Sequence, residues 1–235
     1  MSTICQTTYL GLTDYIKAHD LQKAIASHVG DGSQPHTLLL LEHPHVYTMG
    51  RRAKDADVLL SPQQIVQRGV QVQWTDRGGE ATYHGPGQLV GYPILDLHKL
   101  GMGPIKYVRS LEEVLIRTLA TFDIKSSRIE KLTGVWVGNF KIAAIGVHIS
   151  RGVTTHGFAL NVCPDLSYFD GIVPCGITNK GVTSMERVLS APVKIEDVLP
   201  ALIGKFGEVF GFESVQMSKA LAAGFVKSTA TPLAR

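Results

Sequence analysis

Apolar residues recur at three- to four-residue steps in parts of the chain, a spacing that predicts amphipathic helices. One helix is centred on residues 108–122, and a second is predicted for Ile195–Phe210, weakened by Gly204 and Gly207. A third helix is predicted to start at Thr13, which can cap it, and to run to about Val29. Gly30 and Gly32 would stop it there. The apolar positions of the first helix are Val108, Leu111, Leu115, Leu119 and Phe122.

Other segments are apolar without a break or alternate between apolar and polar, as strands do. Residues 37–41 and 89–97 are mainly apolar stretches, and 70–74 alternate. Three more strands are predicted at 134–137, 141–150 and 154–162, and their short Gly-containing links favour antiparallel hairpins. Helices separated by hairpins indicate an α+β fold with a mixed, mostly antiparallel sheet flanked by helices.

Composition limits the classes of protein that fit this pattern. The 235 residues are 44% hydrophobic and 18% charged, with no repeat or linker, so we expect one globular domain covering 1–235. A net charge of +3 without like-charge blocks does not favour a nucleic-acid partner. Without an 18-residue apolar run or a signal-like start, we expect a cytoplasmic protein that does not bind membranes.

The most unusual segment is 77–88 (RGGEATYHGPGQ), which holds four glycines and one proline in twelve residues. Glycines allow main-chain N–H groups to approach a ligand, and the polar residues between them can fix a head group. A surface hairpin is the ordinary interpretation of such a loop taken alone. The segment matches neither a Walker A loop nor a Rossmann fingerprint, so phosphate binding is not indicated.

Cys175 is the candidate nucleophile among the three cysteines. It lies between a proline and a glycine in 172–177 (IVPCGI), a rigid turn of small residues that can expose a thiol. Cys163 ends an apolar run and is expected to pack as a small hydrophobe, while Cys5 is close to the chain terminus. Taken singly, most intracellular cysteines are structural.

A nucleophilic cysteine needs an activating group, and several are available. Lys141 opens an apolar segment, so its stem can be buried while its amine faces a cleft, although a solvated edge lysine is the commoner case. The histidines that could activate a thiol are His43, His45, His84, His148 and His156. His43 and His45 could also share a metal, but Pro44 interrupts the strand and no third ligand is placed by spacing, so we predict no metal site.

Five blocks taken together resemble, in this order, the motifs of the lipoyl(octanoyl) transferase family. They are 77–88, 141–147 (KIAAIGV), 156–161 (HGFALN), 172–177 and 183–185 (TSM). The resemblance covers about 9–212, the expected core of the domain, and leaves 213–235 as a tail of uncertain structure. It implies the α+β fold shared with the catalytic domains of biotin and lipoate protein ligases.

The resemblance also implies a reaction. Octanoyl is taken from octanoyl-acyl carrier protein and placed on a specific lysine of lipoyl domains, in 2-oxoacid dehydrogenase subunits and the glycine cleavage H protein. Cys175 would carry the acyl group as a thioester and Lys141 would lower the pKa of its thiol, with no cofactor, in a monomeric enzyme. The implied acyl-substrate site comprises Arg77, Gly78, Gly79, Glu80, Ala81, Thr82, Tyr83, His84, Ala144, Ile145, Gly146, Gly157, Phe158 and Ala159. Glu80 and Ala81 fall at positions that the motif leaves variable.

Electrostatics supports this division of roles between Cys175 and Lys141. Lowering a thiol pKa from about 8.5 to about 6.5 takes about 2.7 kcal/mol. An ammonium about 4 Å away supplies up to about 4 kcal/mol at an effective dielectric constant near 20, less the desolvation of both groups. One lysine therefore suffices. Two other functions use similar residues: an ATP-dependent lipoate or biotin ligase, which needs no nucleophilic cysteine, and a non-catalytic module that binds acylated carriers.

Overall fold

The computed structural model describes residues 4–173 and 180–217, with side chains up to 215. Cys175 therefore lies outside the described residues. The strands are β1 (Ile4–Leu12), β2 (His36–Glu42), β3 (Val46–Met49), β4 (Gln71–Trp74), β5 (Ala81–His84), β6 (Gln88–Ile94), β7 (Ser127–Ile129), β8 (Leu132–Val137), β9 (Phe140–Ser150), β10 (Val153–Asn161), β11 (Gly181–Val182) and β12 (Ser214–Met217). The helices are α1 (Tyr15–Asp31), α2 (Pro62–Gln67), α3 (Pro104–Ala120), α4 (Met185–Leu189) and α5 (Ile195–Phe210), and 3-10 turns lie at Asp55–Asp57 and Leu166–Gly171.

The strands of the described ranges form two sheets. The larger has the order β12-β1-β2-β6-β10-β9-β8-β7, with β11 beside β9, and the smaller has the order β4-β3-β5. The run from β2 to β7 is antiparallel throughout, while β1 is parallel to both of its neighbours. The predicted fold class, a mixed and mostly antiparallel sheet with helices, is confirmed.

Strand β2 shows why the large sheet lies at the centre of the molecule. Leu38 and Leu40 pack into the core formed with α3 and α5, and Leu39 and Leu41 pack into the core formed with α1. Alternate residues of a strand point to opposite faces, so a strand covered on both sides must be apolar at every position. The unbroken leucine run is the sequence signature of that double burial.

Several predicted elements have the expected positions. Helix α5 has the predicted bounds, α3 contains the predicted apolar stripe as far as Leu119, and β8, β9 and β10 form antiparallel hairpins. Phe122 was expected in the α3 stripe but follows the helix end at Ala120. None of the helices within 4–173 and 180–217 combines the length and the apolar character needed to cross a membrane.

Three local predictions are corrected. The cap of α1 is Asp14, not Thr13, because the Asp14 carboxylate accepts the amide N–H groups of Ile16 and Lys17. The helix continues through Gly30 and ends at Gly32, whose φ of 81° suits glycine. The glycine-rich segment is not a continuous loop, since β5 lies within it.

Pairing over long sequence distances explains the strands that periodicity did not predict. β5 is antiparallel to β3, and β12 lies parallel to β1, joining residues near the two ends of the chain. β12 lies in the tail for which no structure was predicted. Contacts of this kind stabilise short strands whose sequences give only a weak local signal.

Candidate active site

A cavity of about 440 Å³ lies against β9 and β10, on the side covered by the glycine-rich segment. Lys141 lines it. It is also lined by these predicted substrate-binding residues: Arg77, Gly78, Gly79, Glu80, Thr82, His84, Ala144, Ile145, Gly146, Gly157, Phe158 and Ala159. The structure thus brings together residues up to 82 positions apart in the sequence.

The floor of the cavity is a groove of small residues on two paired strands. Ala144 of β9 is paired with Ala159 of β10, and Gly146 with Gly157. Directly paired residues of antiparallel strands point to the same face. Four adjacent positions with one methyl group or none leave a shallow apolar channel along the sheet.

The glycine-rich segment crosses this groove at Gly146. The Gly78 N–H donates a hydrogen bond to the Val147 carbonyl at 2.9 Å, and a Cβ on Gly146 would lie 3.0 Å from the Gly78 carbonyl oxygen. A Cβ on Gly157 would lie only 2.2 Å from the Gly91 carbonyl oxygen. Glycine is required at position 157 because the backbones approach too closely for a side chain, and a side chain at position 146 would fit only if its neighbours shifted slightly.

Arg77 holds that crossing in place. Its guanidinium donates to the Thr48 hydroxyl from Nε at 3.1 Å and from Nη2 at 2.8 Å, to the Thr48 carbonyl, and to the Gly78 carbonyl at 3.1 Å. The side chain is 7% exposed. Arg77 lines the cavity, but these hydrogen bonds are directed to the protein itself.

Lys141 lies at the start of β9, at the other end of the groove. It is paired with Trp136 of β8 and with Val182 of β11, and its carbonyl accepts the Thr183 N–H at 3.0 Å. Its Nζ lies 4.9 Å from the centroid of the Trp136 ring, within cation–π range. Lys180 Nζ lies 5.6 Å from the same ring.

The span of β9 between the two ends of the groove can be compared with the length of an acyl chain. Lys141 and Gly146 are five residues apart on β9, or about 16 Å at about 3.3 Å per residue. An extended eight-carbon acyl chain measures about 9 Å, since each C–C bond of about 1.5 Å advances it by less than its length.

His156 reaches the cavity through an unusual backbone conformation. Phe158 and Leu160, two and four residues further along β10, pack toward α3 and α5, and regular alternation would direct His156 there too. Its φ of 55° instead accompanies a ring that stacks on His19 of α1, with centroids 5.3 Å apart. The Gln22 amide oxygen accepts the His156 backbone N–H at 2.7 Å and secures this conformation.

The side chains of His19, Asp76 and His156 have the chemistry of metal ligands. Donor atoms of His19, Asp76 and His156 lie within 4.8 Å of one another. The same atoms already form hydrogen bonds: Asp76 Oδ1 is 2.8 Å from His156 Nε2 and 3.4 Å from His19 Nε2. The hydrogen bond from His156 holds the pKa of Asp76 well below its usual range, and burial lowers that of His156, so a neutral imidazole faces a carboxylate.

Histidines proposed above as thiol activators have other partners. His43 lies 2.6 Å from the Thr13 carbonyl and 2.7 Å from the Tyr92 hydroxyl, and burial lowers its pKa to about 4. His84 Nδ1 is 2.7 Å from the Gln88 amide oxygen, and burial holds its pKa well below the usual value. Both imidazoles are therefore neutral at pH 7.

Gln88 and Asn161 are cavity residues that the sequence analysis did not select. Gln88 Nε2 donates to Asn161 Oδ1 at 2.9 Å, and Asn161 Nδ2 donates to the Thr183 carbonyl at 2.9 Å. This chain of bonds joins β6, β10 and the residue that follows β11. Both residues end quoted motif blocks, and that position was the signal available for finding them.

Two predicted substrate-binding residues face away from the cavity lining. Ala81 and Tyr83 of β5 are fully buried in the core of the small sheet. The Tyr83 hydroxyl lies 2.9 Å from His45 Nδ1. On this strand Thr82 and His84 alternate with them and line the cavity. A direct role of Ala81 and Tyr83 in substrate binding stays a prediction.

The two described cysteines are poor nucleophiles. Burial raises the pKa of Cys5 to about 12 and also raises that of Cys163. Cys5 is 0% exposed. A thiol must ionise to attack, so these raised pKa values disfavour both thiols as nucleophiles.

Comparison with known proteins extends this description. Residues 14–207 match the family model of the lipoyl protein ligase A/B catalytic domain. The octanoyltransferase of Koribacter versatilis is 52% identical over 210 residues, covering 87% of this chain and 84% of that protein. The octanoyltransferase of Solibacter usitatus is 48% identical over 219 residues, covering 93% and 99%.

Solved structures share the fold at low sequence identity. A lipoate-protein ligase A bound with ATP superposes with a TM-score of 0.75 at 16% identity, covering 97% of this chain and 94% of that one. The biotin protein ligase from Aquifex aeolicus, in complex with biotin and ATP, gives 0.55 at 13% identity, covering 89% and 73%. Both likenesses concern the fold alone.

Proposed function

This chain belongs to the lipoyl protein ligase A/B catalytic domain family, as its ordered motifs predicted, and from that premise we propose that it is an octanoyltransferase. It takes octanoyl from octanoyl-acyl carrier protein, holds it as a thioester on Cys175, and transfers it to a lysine of a lipoyl domain. Lipoyl domains of 2-oxoacid dehydrogenase complexes and the glycine cleavage H protein are the proposed acceptors. One observation carries the proposal: Lys141 and the paired small residues of β9 and β10 line one cavity, and the distance along β9 from Lys141 to Gly146 exceeds the length of an extended eight-carbon chain.

In the first half-reaction the Cys175 thiolate attacks the carbonyl carbon of the donor thioester. The tetrahedral intermediate expels the carrier thiolate, which takes a proton from the Lys141 ammonium. A new C–S bond replaces an equivalent one, so the step is nearly isoenergetic.

In the second half-reaction neutral Lys141 accepts a proton from the incoming acceptor lysine. The freed amine attacks the enzyme thioester, the C–S bond breaks to restore the Cys175 thiolate, and the nitrogen of the new amide releases its second proton to solvent. Conversion of a thioester to an amide is downhill, so the cycle needs no ATP. The Gly78 N–H already donates to Val147, so the oxyanion must be stabilised by other donors.

The pKa values of the other cysteines support Cys175 as the nucleophile. Burial disfavours ionisation of Cys5 and Cys163. Lys141, in contrast, lines an open cavity whose walls carry the predicted acyl-site residues. A thiolate beside this ammonium would be stabilised by a charge that a buried apolar site does not provide.

Intact-mass spectrometry after incubation with octanoyl-acyl carrier protein alone tests the proposal. We expect the wild type to gain one octanoyl group on Cys175 and to lose it when a lipoyl domain is added. Cys175→Ser should show no adduct, and Cys163→Ser should behave as the wild type. An adduct mapped to Cys163 or Cys5 would overturn the nucleophile assignment. Transfer only from free octanoate with ATP would indicate a ligase instead.

A further inference from the structure

Two lysine ammonium groups lie near one tryptophan ring at the Lys141 end of the groove. Lys141 Nζ and Lys180 Nζ are 4.9 Å and 5.6 Å from the Trp136 ring centroid. The ring itself is fixed, since Trp136 is 1% exposed and its Nε1 donates to the Leu132 carbonyl at 3.3 Å.

Backbone pairing brings the two lysines together. Trp136 and Val182 lie on opposite sides of Lys141, in β8 and β11. Lys180 stands immediately before β11, and its Nζ donates to the Asn139 amide oxygen at 2.8 Å. Lys180 is therefore held by the sheet and by a side-chain hydrogen bond near the ring that Lys141 contacts, and the two Nζ atoms are at most 10.5 Å apart.

Among the described residues, no carboxylate is paired with either ammonium. Within 4–173 and 180–217, no ion pair involves Lys141 or Lys180. The nearby acidic groups have other partners: Glu112 is paired with Arg109 and Arg128 at 2.7 and 3.0 Å and also accepts the Gly134 N–H. Glu130 lies 3.9 Å from Lys131, the other lysine lining the cavity.

Two like charges at one site repel each other, and the indole face offsets only part of that repulsion. Such a site favours an anion. In the proposed reaction a negative charge develops beside Lys141 twice, on the attacking thiolate and on the oxygen of the tetrahedral intermediate. A second cation next to Lys141 would stabilise both.

We propose that Lys180 is a second cation for the anionic centre of the reaction and that Trp136 is a positioning residue that holds the ammonium groups of Lys141 and Lys180 together. The proposal rests on the proposed function, because the anion is that of the acyl-transfer step. It assigns to Lys180 and Trp136 roles that no motif in the sequence indicated.

The proposed role of Lys180 is tested by the pH dependence of Cys175 alkylation by iodoacetamide, with adducts quantified by peptide mapping. Lys180→Met should move the alkylation midpoint upward by roughly half a pH unit, which lowers the rate about threefold at pH values well below the midpoint. Lys141→Met should move it further. Lys106→Met, which removes one exposed cation from α3, is the matched control and should leave the profile unchanged.

Trp136 variants test the positioning role. Trp136→Leu should shift the midpoint in the direction of Lys180→Met, and Trp136→Phe, which keeps an aromatic face, should restore most of the wild-type profile. In a Trp74→Phe background Trp136 is the remaining tryptophan, so Lys141→Met and Lys180→Met should each change its fluorescence. Thermal unfolding confirms that each variant is folded.

The outcomes separate this inference from the function on which it rests. If Lys141→Met shifts the profile but Lys180→Met and Lys106→Met coincide with the wild type, Lys180 has no electrostatic role and the inference is wrong. An equal shift for Lys106→Met would also overturn it, because net charge alone would then explain the result. Failure of the acyl-enzyme to form at all would refute the proposed function instead.

Discussion

The two ends of the groove each have a cation, and the two cations are used in opposite ways. Arg77 is buried, and its guanidinium donates hydrogen bonds to Thr48 and Gly78. Lys141 rests on an aromatic ring and takes part in no ion pair of the described residues. Arg77 therefore fixes the geometry of the site, and the charge of Lys141 remains available to a substrate or a thiolate.

This contrast shows that lining a cavity does not by itself identify a catalytic residue. Both cations were singled out from sequence motifs, and both line the cavity. Their hydrogen-bond partners distinguish them, because a donor already directed to the protein backbone has little capacity left for a ligand. Arg77 should therefore affect stability most, and Lys141 should affect rate most.

The largest expected effect is on the rate of acyl transfer in Lys141 variants. Lys141→Ala should slow acylation about 100-fold at pH 7 with little change in thermal stability, because it removes both the stabilising charge and the proton donor. Part of the rate should return as the pH approaches that of an ordinary thiol. Stopped-flow acylation across pH, beside calorimetry, measures both quantities.

Lys141→Arg sharpens this prediction. Arginine keeps the positive charge but does not release its proton in proteins. Alkylation of Cys175 should therefore stay closer to the wild type than octanoyl transfer does. Identical behaviour of the alanine and arginine variants would show that charge at position 141 does not tune the thiol.

Arg77→Met should reverse the pattern of Lys141→Ala. It keeps the aliphatic stem but leaves the Thr48 carbonyl without its donor, which should cost about 2 kcal/mol of the free energy of unfolding. Arg52→Met is the control, since the Arg52 side chain is 72% exposed and 3.9 Å from Glu80, a pair worth less than about 1 kcal/mol. Equal urea midpoints for the two variants would contradict the structural role of Arg77.

His43 is a buried residue whose contribution to the free energy of unfolding depends on pH. Burial lowers its pKa to about 4 in the folded state, against about 6.5 when exposed. Between these values the unfolded chain binds more protons, so stability falls as the pH is lowered from about 6.5 to about 4, by at most about 1.4 kcal/mol per pH unit for this residue. Urea unfolding from pH 7 to 4.5 should show a shallower acid slope for His43→Gln.

The smallest expected effect concerns the groove between the two cations. Ala144→Val adds two methyl groups opposite Ala159, which should shift the preferred chain from eight toward six carbons by about fivefold in relative rate, or about 1 kcal/mol. Acylation rates with six-, eight-, ten- and sixteen-carbon donors measure this, and an acetyl donor is the control. An unchanged preference would mean that the chain does not lie along β9. In the wild type, a sixteen-carbon chain as fast as the eight-carbon one would show that the groove is open beyond Gly146.

The sequence by itself determined the elements whose signal is local. Helices α3 and α5 follow from 3.6-residue periodicity, and the β8–β10 hairpins follow from apolar strands joined by short glycine-containing links. The ordered motifs also identified the family, because each block is a short run of residues that needs no knowledge of contacts. Lys141 and the small residues Ala144, Gly146, Gly157 and Ala159 could be selected in this way.

Only the tertiary structure decided which side chains meet. Periodicity directs His156 toward α3, yet its positive φ accompanies a ring that packs on α1. Pairing between distant strands decides three further contacts. It places Lys141 and Lys180 near one Trp136 ring, joins Gln88 to Asn161 by a hydrogen bond, and encloses Tyr83 in the core of the small sheet. Local sequence encodes the period of a strand, but its neighbours and their register are set by burial of the whole chain.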